Sequence, residues 1–254
     1  MLNKRVIPCL LLKNDGLVKT IQFKKPSYVG DPINAIRIFN EKEVDELIFL
    51  DITATNEGRK PNISLISRFV DECFMPLSVG GGIRNLNDVR EILKIGVEKV
   101  SINTYAMENK YFIKEISNTF GSQSITVSID VKKQRNGTYE VFTNCGIKAS
   151  GLNPVSWAQK MEEMGAGEIF LNSIDKDGTM KGYDIELIKS VSEAVNIPVV
   201  ANGGAGKLQD FKDAIEIGQA SAVAAGSFFI FHGERRAVLI NYPSKEELRN
   251  IVGV

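Results

Sequence analysis

Val79-Gly80-Gly81-Gly82 recurs roughly 120 residues later as Ala201-Asn202-Gly203-Gly204. In each copy a short apolar run ends in small residues, the pattern of a strand handing over to a helix through a tight turn. Neighbouring segments keep nearly the same offset: Phe49-Leu50-Asp51 aligns with Phe170-Leu171-Asn172, Asn103-Thr104 with Gly226-Ser227, and Leu11 with Asp130. A chain that repeats itself once, with strands and turns in step, predicts two half-barrels, about 1–122 and 123–254.

Working outward, short β-rich runs alternate with amphipathic stretches: Val6–Leu12, Leu47–Ile52, Leu77–Gly80, Lys99–Ile102, Ile125–Val131, Glu168–Ser173, Val199–Asn202 and Ala222–Ala225. Helix starts are marked by Asp31 before Pro32, by Asn85, by Asn153 before Pro154, and by Ser244 with Glu247 three residues on. Eight such strand–helix alternations predict a single (β/α)₈ TIM barrel over residues 1–254. Two segments break the rhythm. Asn136-Gly137, between Lys132–Arg135 and Tyr139–Phe142, predicts an inserted hairpin, and the long stretch from Asn14 to Asp31 reads as a mobile loop. Both follow strands, so both are expected over the catalytic face.

Lys+Arg and Asp+Glu both number 31, so no net field recruits nucleic acid or an anionic membrane surface. The apolar run Val6–Leu12 is too short to span a bilayer or act as a secretory signal, which gives the expectation of a cytoplasmic protein. Cys9, Cys73 and Cys145 are scattered and odd in number, and read as ordinary thiols. His232 is the one histidine, so neither a paired-histidine metal motif nor a complete glutaminase triad is expected within the chain. No metal and no cofactor are expected. His232 follows an apolar stretch and reads as a hydrogen-bonded structural residue.

Phosphate needs backbone N–H groups that can crowd an anion, which favours small residues between a strand and the next helix. Gly81, Gly82, Asn103 and Thr104 form one candidate site; Asp177, Gly178, Gly203, Gly204, Gly226 and Ser227 form another. A lone glycine triplet is more often a mere turn, and repetition at matching positions raises the phosphate reading. Carboxylates at strand ends, Asp51, Asp130 and Asp175 or Asp177, are the candidate acid/base groups. Each could instead cap a helix, Asp51 most readily.

Phe49–Ala54, Val79–Ile83, Lys99–Thr104, Phe120–Gln123, Ser173–Thr179 and Gly203–Lys207 resemble the cyclase subunit of imidazole glycerol phosphate synthase across nearly the whole chain. The resemblance implies a barrel with a glutaminase subunit docked on its N-terminal face and ammonia passing through the core to a phosphorylated small-molecule ligand. It implies a gate at Arg5, Glu46, Lys99 and Glu168, a substrate loop holding Lys19 and Asp51, and a catalytic pair of aspartates. Asp130 matches one of that pair. Leu11 occupies the other position, and leucine carries no proton.

That departure also separates the chain from the related two-aspartate sugar isomerase of histidine synthesis. With Phe231–Pro243 and the opening Val6–Leu12, it resembles instead a paralogous branch linked to surface polysaccharide synthesis. There a glutaminase partner supplies ammonia for turning an acetamido group into an acetamidino group, and a separate sugar amidotransferase performs the transfer. Two alternatives stay open: a histidine-pathway cyclase in which another group replaces the missing aspartate, and a silent scaffold that only conducts ammonia.

Overall fold

The computed structural model describes residues 4–233 and 235–253. Eight parallel strands close on themselves: β1 (Arg5–Lys13), β2 (Leu47–Asp51), β3 (Leu77–Gly80), β4 (Lys99–Ile102), β5 (Ile125–Lys133), β6 (Glu168–Ser173), β7 (Val199–Asn202) and β8 (Ala222–Ala225). The register closes where Arg5 faces Ala222 and Pro8 faces Ala225. This is a (β/α)₈ barrel.

The outer ring is built by helices α1 (Pro32–Glu41), α2 (Ile63–Glu72), α3 (Leu86–Lys94), α4 (Thr104–Glu108), α5 (Tyr111–Phe120), α6 (Pro154–Glu163), α7 (Ile185–Ser192), α8 (Leu208–Glu216), α9 (Ser227–Ile230) and α10 (Lys245–Val252). Their starts follow the expected chemistry. The Asp31 carboxylate accepts from Asn34 N–H at 3.0 Å, Asn85 from Asp88 N–H at 2.9 Å and Asn153 from Val155 N–H at 2.9 Å. Ser244 and Glu247 cap each other's backbone.

Strand alternation sends two sets of side chains in opposite directions. Val6, Leu10, Leu47, Phe49, Val100, Val127 and their neighbours pack outward under the helices. Inside lies a smaller cluster of Ile7, Cys9, Ile48, Phe170, Val200, Ala222 and Ala224, with Leu11 and Leu50 against it. On β3 to β5 the inward positions are Ser78, Ser101, Thr126 and Ser128, all buried. The interior therefore has an apolar side and a hydroxyl-bearing side.

The stretch Asn14 to Asp31 is not a loose loop. Gly16–Ile21 pairs antiparallel with both β1 and Lys24–Gly30, and Leu17 and Val18 are buried. Asn14 and Asp15 turn with positive φ of 50° and 62°, and Gln22 and Phe23 repeat that geometry at 52° and 61°, the backbone of tight two-residue hairpin turns. The second excursion is the hairpin expected around Asn136-Gly137: β5 pairs with Tyr139–Thr143, and Lys148–Ala149 extends it. His232 departs from its expectation too. It sits exposed in a small ribbon, Phe231–His232 against Ala237–Val238.

Candidate functional site

At the N-terminal mouth four charged side chains close a ring. Arg5 donates to both Glu46 and Glu168, and Lys99 donates to the same two carboxylates at 3.2 Å each. Ser78 Oγ donates to Glu46 at 2.9 Å and Thr126 Oγ1 to Glu168 at 3.3 Å, so both carboxylates are oriented from inside the barrel. Glu46 and Glu168 are almost wholly buried, a condition that ionised carboxylates tolerate only with such partners. The four residues expected as a gate are thus brought together.

The strands' other ends open into a cleft. Its walls differ. Cys9, Leu11, Leu50 and Ala225 form an apolar stretch, whereas Asn103, Asp130, Asn172 and Asn202 form a polar one. Asp130 receives Asn103 Nδ2 at 2.9 Å and Asn172 Nδ2 at 3.4 Å. Burial and the nearby Asp177 push its carboxyl up to about 7, against the pull of the two amides. Leu11 lies on β1, the strand diametrically opposite β5 in an eight-stranded ring, so the end of that strand offers Asp130 no acid partner.

Every residue assigned to the two candidate phosphate sites lines this cleft. Gly81 and Gly203 take φ of 109° and 89°, and a side chain on either would strike the carbonyl of Asp51 or Ser173. Asp88 accepts from Arg84 N–H at 3.1 Å, and Asp210 accepts from Gly206 N–H at 2.8 Å. Both glycine turns are thereby tied to the following helix in the same way, a device that the sequence reading did not pick out. Two acids at matching offsets, each three residues after a helix cap, were its signal.

Lys19, on the first hairpin, points inward and is buried. Its Nζ donates to the Cys9 carbonyl at 2.7 Å, has no carboxylate in ion-pair contact among the described residues, and stands where a Gly226 side chain would be. Burial lowers its ammonium from the usual range. Asp177 accepts from Thr20 Oγ1 at 2.7 Å and from Phe23 N–H at 3.3 Å, holding that hairpin over the second glycine site. Asp175 faces away from the cleft lining and accepts from Lys133 N–H at 2.7 Å. Asp51 also serves its own loop: its carboxylate accepts from Thr53 and Ala54 N–H and pairs with Arg59 at 3.0 Å. A group so fully engaged shapes the loop; it does not stand free to move protons.

Burial pushes both Cys9 and Cys145 thiols up to about 12, so neither is a thiolate near neutral pH. The Cys145 thiol donates to the Ile52 carbonyl at 2.9 Å and ties the second hairpin to the cleft rim.

Residues 5–235 match the family described as histidine biosynthesis protein. The chain belongs to that family. Among its relatives, a Pseudomonas aeruginosa protein provisionally named as an imidazole glycerol phosphate synthase subunit is 54% identical over 98% of this chain and 99% of its own length. A Leptospira interrogans protein of the same provisional name is 49% identical over 97% of this chain and 98% of its own length. The Clostridium botulinum imidazole glycerol phosphate synthase subunit HisF is 44% identical over 97% of this chain and 98% of its own length. Within the family barrel, the array missed from sequence is that of Asn172 and Asn202: polar residues ending apolar strands, which burial obliges to find partners.

Proposed function

We propose that this chain is the ammonia-channelling, synthase-like subunit of a glutamine amidotransferase complex serving acetamidino-sugar synthesis for surface polysaccharide. The names of the relatives support a glutaminase-partnered barrel. The observation that carries the reading is the path itself. A closed charge ring at one mouth leads past Ser78, Ser101, Thr126 and Ser128 to a cleft in which Asp130 is a carboxyl held by amides alone, with Leu11 on the opposite strand.

The chemistry follows from those parts. Free ammonia is mostly protonated at neutral pH and then is no nucleophile, so a glutaminase docked on the N-terminal face delivers it into a closed interior. The ring opens when Lys99 leaves its two carboxylates. Hydroxyl groups can then exchange hydrogen bonds with ammonia along its way, and the apolar side excludes bulk water. In the cleft a phosphorylated ligand rests on the paired glycine turns, Lys19 supplies positive charge, and Asp130 gives or takes the proton. The two half-barrels, about 1–122 and 123–254, account for the pairing of the glycine sites. A separate sugar amidotransferase completes the transfer, and the complex works in the cytoplasm.

The test uses the chain with its glutaminase partner, amide-¹⁵N-glutamine and excess unlabelled ammonium. Channelled nitrogen enters the acceptor with the label undiluted, and Lys99→Glu dilutes it. Label diluted to the same extent by bulk ammonium with the native chain sinks the channel. In parallel, the purified chain is given the histidine-pathway precursor and ammonium salt. Turnover would make it a histidine cyclase despite Leu11; binding without turnover agrees with nitrogen transfer.

A further inference from the structure

The barrel register sets Asp130 beside Asn172 and Asn172 beside Asn202, on three successive strands at one level. Asn202 Nδ2 donates to Asn172 Oδ1 at 3.1 Å; Asn172 Nδ2 donates onward to Asp130 Oδ1 at 3.4 Å. Asn172 and Asn202 are both buried. The amide ends of an asparagine are nearly equal in size, so packing alone does not decide which end faces Asp130. The 3.4 Å bond is too long to decide it firmly. In this structure the far side sets it: Asn202 turns its Nδ2 toward Asn172, and only Oδ1 can accept that bond.

We infer that Asn202 is a positioning residue for Asp130, acting through Asn172. With Asn202 in place, Asn172 is locked with its N–H₂ toward the carboxylate, and the chain of amides polarises in one direction. Without it, Asn172 is free to turn its carbonyl toward Asp130, an arrangement that rewards the protonated acid, which alone has an O–H to donate. Asn202 thus selects the ionised form of Asp130 from two strands away. Nothing else facing Asp130 does so in that way. Asn103 acts directly on the other oxygen, Asp177 and the thiols of Cys9 and Cys145 add only negative charge or none, Lys19 is turned to the Cys9 carbonyl, and Asp51 is tied to Arg59.

The inference deepens the role proposed for Asp130, yet its test needs no substrate and no knowledge of the reaction. The full chain is labelled with ¹³C at aspartate carboxyls, and the Asp130 resonance, assigned by its loss in Asp130→Asn, is titrated. Asn202→Ala raises the Asp130 midpoint by about half a unit to one unit, a roughly three- to tenfold tighter hold on the proton. Asn202→Leu, of similar size and with no donor, gives the same shift and serves if the alanine variant folds poorly. Asn172→Leu also raises the midpoint, and adding Asn202→Ala to it moves the midpoint no further, since Asn202 acts only through Asn172. An unmoved midpoint in folded Asn202 variants, or additive shifts in the double variant, overturns the inference. Failure of the nitrogen-transfer assay with these titration shifts intact would fault the proposed function and leave the relay standing.

Discussion

At the N-terminal mouth each of four charged side chains touches two of opposite sign; at the C-terminal mouth Lys19 has only a carbonyl and Asp130 only amides. The two regions are only four residues apart along the chain, from Glu168 to Asn172 on β6 and from Lys99 to Asn103 at the end of β4, and both are largely buried. Their difference is one of completeness. Charges that satisfy one another close a passage, and the ring is stable as it stands. Charges left with neutral partners raise the energy of the cleft and favour a ligand of fitting charge.

The sharpest way to break this comparison is to remove the cleft's proton carrier. Asp130→Asn keeps size and most hydrogen-bonding capacity yet cannot cycle a proton, so ammonia-dependent turnover in the reconstituted complex is expected to fall by about 10²–10⁴-fold. Retained turnover would mean that the cleft conducts ammonia and transforms nothing.

Next is the waiting cation. Gly226 has an ordinary backbone conformation, so its substitution acts by sterics alone: a Cβ there collides with Lys19 Nζ and the Cys9 carbonyl. Gly226→Ala should displace the ammonium. Hydrogen bonds to charged groups are worth about 1.5–3 kcal/mol, so affinity for inorganic phosphate, read by calorimetry, should drop roughly ten- to hundredfold. Unchanged affinity would place Lys19 outside the anion site.

The ring is challenged by Lys99→Met, which leaves Glu46 and Glu168 sharing Arg5 alone. Because Lys99 is partly exposed, a loss of about 2 kcal/mol in urea unfolding is expected, less than for a fully buried pair. Adding Glu46→Gln should restore part of it. If Lys99→Met costs nothing, the ring is not a closed electrostatic unit.

How much of this was legible differs between the same two regions. The barrel, the caps at Asp31, Asn85, Asn153 and Ser244, and the four ring residues follow from periodicity, cap chemistry and resemblance, because each depends on residues close in sequence or on a fixed pattern. The cleft was legible only as a set of positions. Asp51 has the look of an acid at a strand end, yet its loop returns Arg59 and two N–H groups to it. The stretch from Asn14 to Asp31 lacks strong alternation, but Asn14-Asp15-Gly16 is a turn signal, and pairing with β1 supplies the strand order that local propensity does not. The amides of Asn172 and Asn202 meet only because neighbouring strands are in register, a fact of closure that no single segment carries.

The smallest expected effect concerns the cleft's burden on the fold. Asp130 keeps its proton up to about 7 in the folded chain, whereas its ordinary value is 3.8. Between those values the folded state binds more protons than the unfolded one, so this group makes stability fall as pH rises from about 4 to about 7. A salt-bridged carboxylate does the reverse. Comparing the native chain with Asp130→Asn cancels the other titrating groups, among them Asp177 and Asp45, whose carboxyls burial also pushes up. With one edge of Asp130 reaching the cleft, the variant should gain about 1–2 kcal/mol on the native chain between pH 5 and pH 8 in urea unfolding. A difference that stays flat across that window would mean that Asp130 ionises as freely as a surface carboxylate, and the contrast between a finished mouth and an unfinished one would then rest on Lys19 alone.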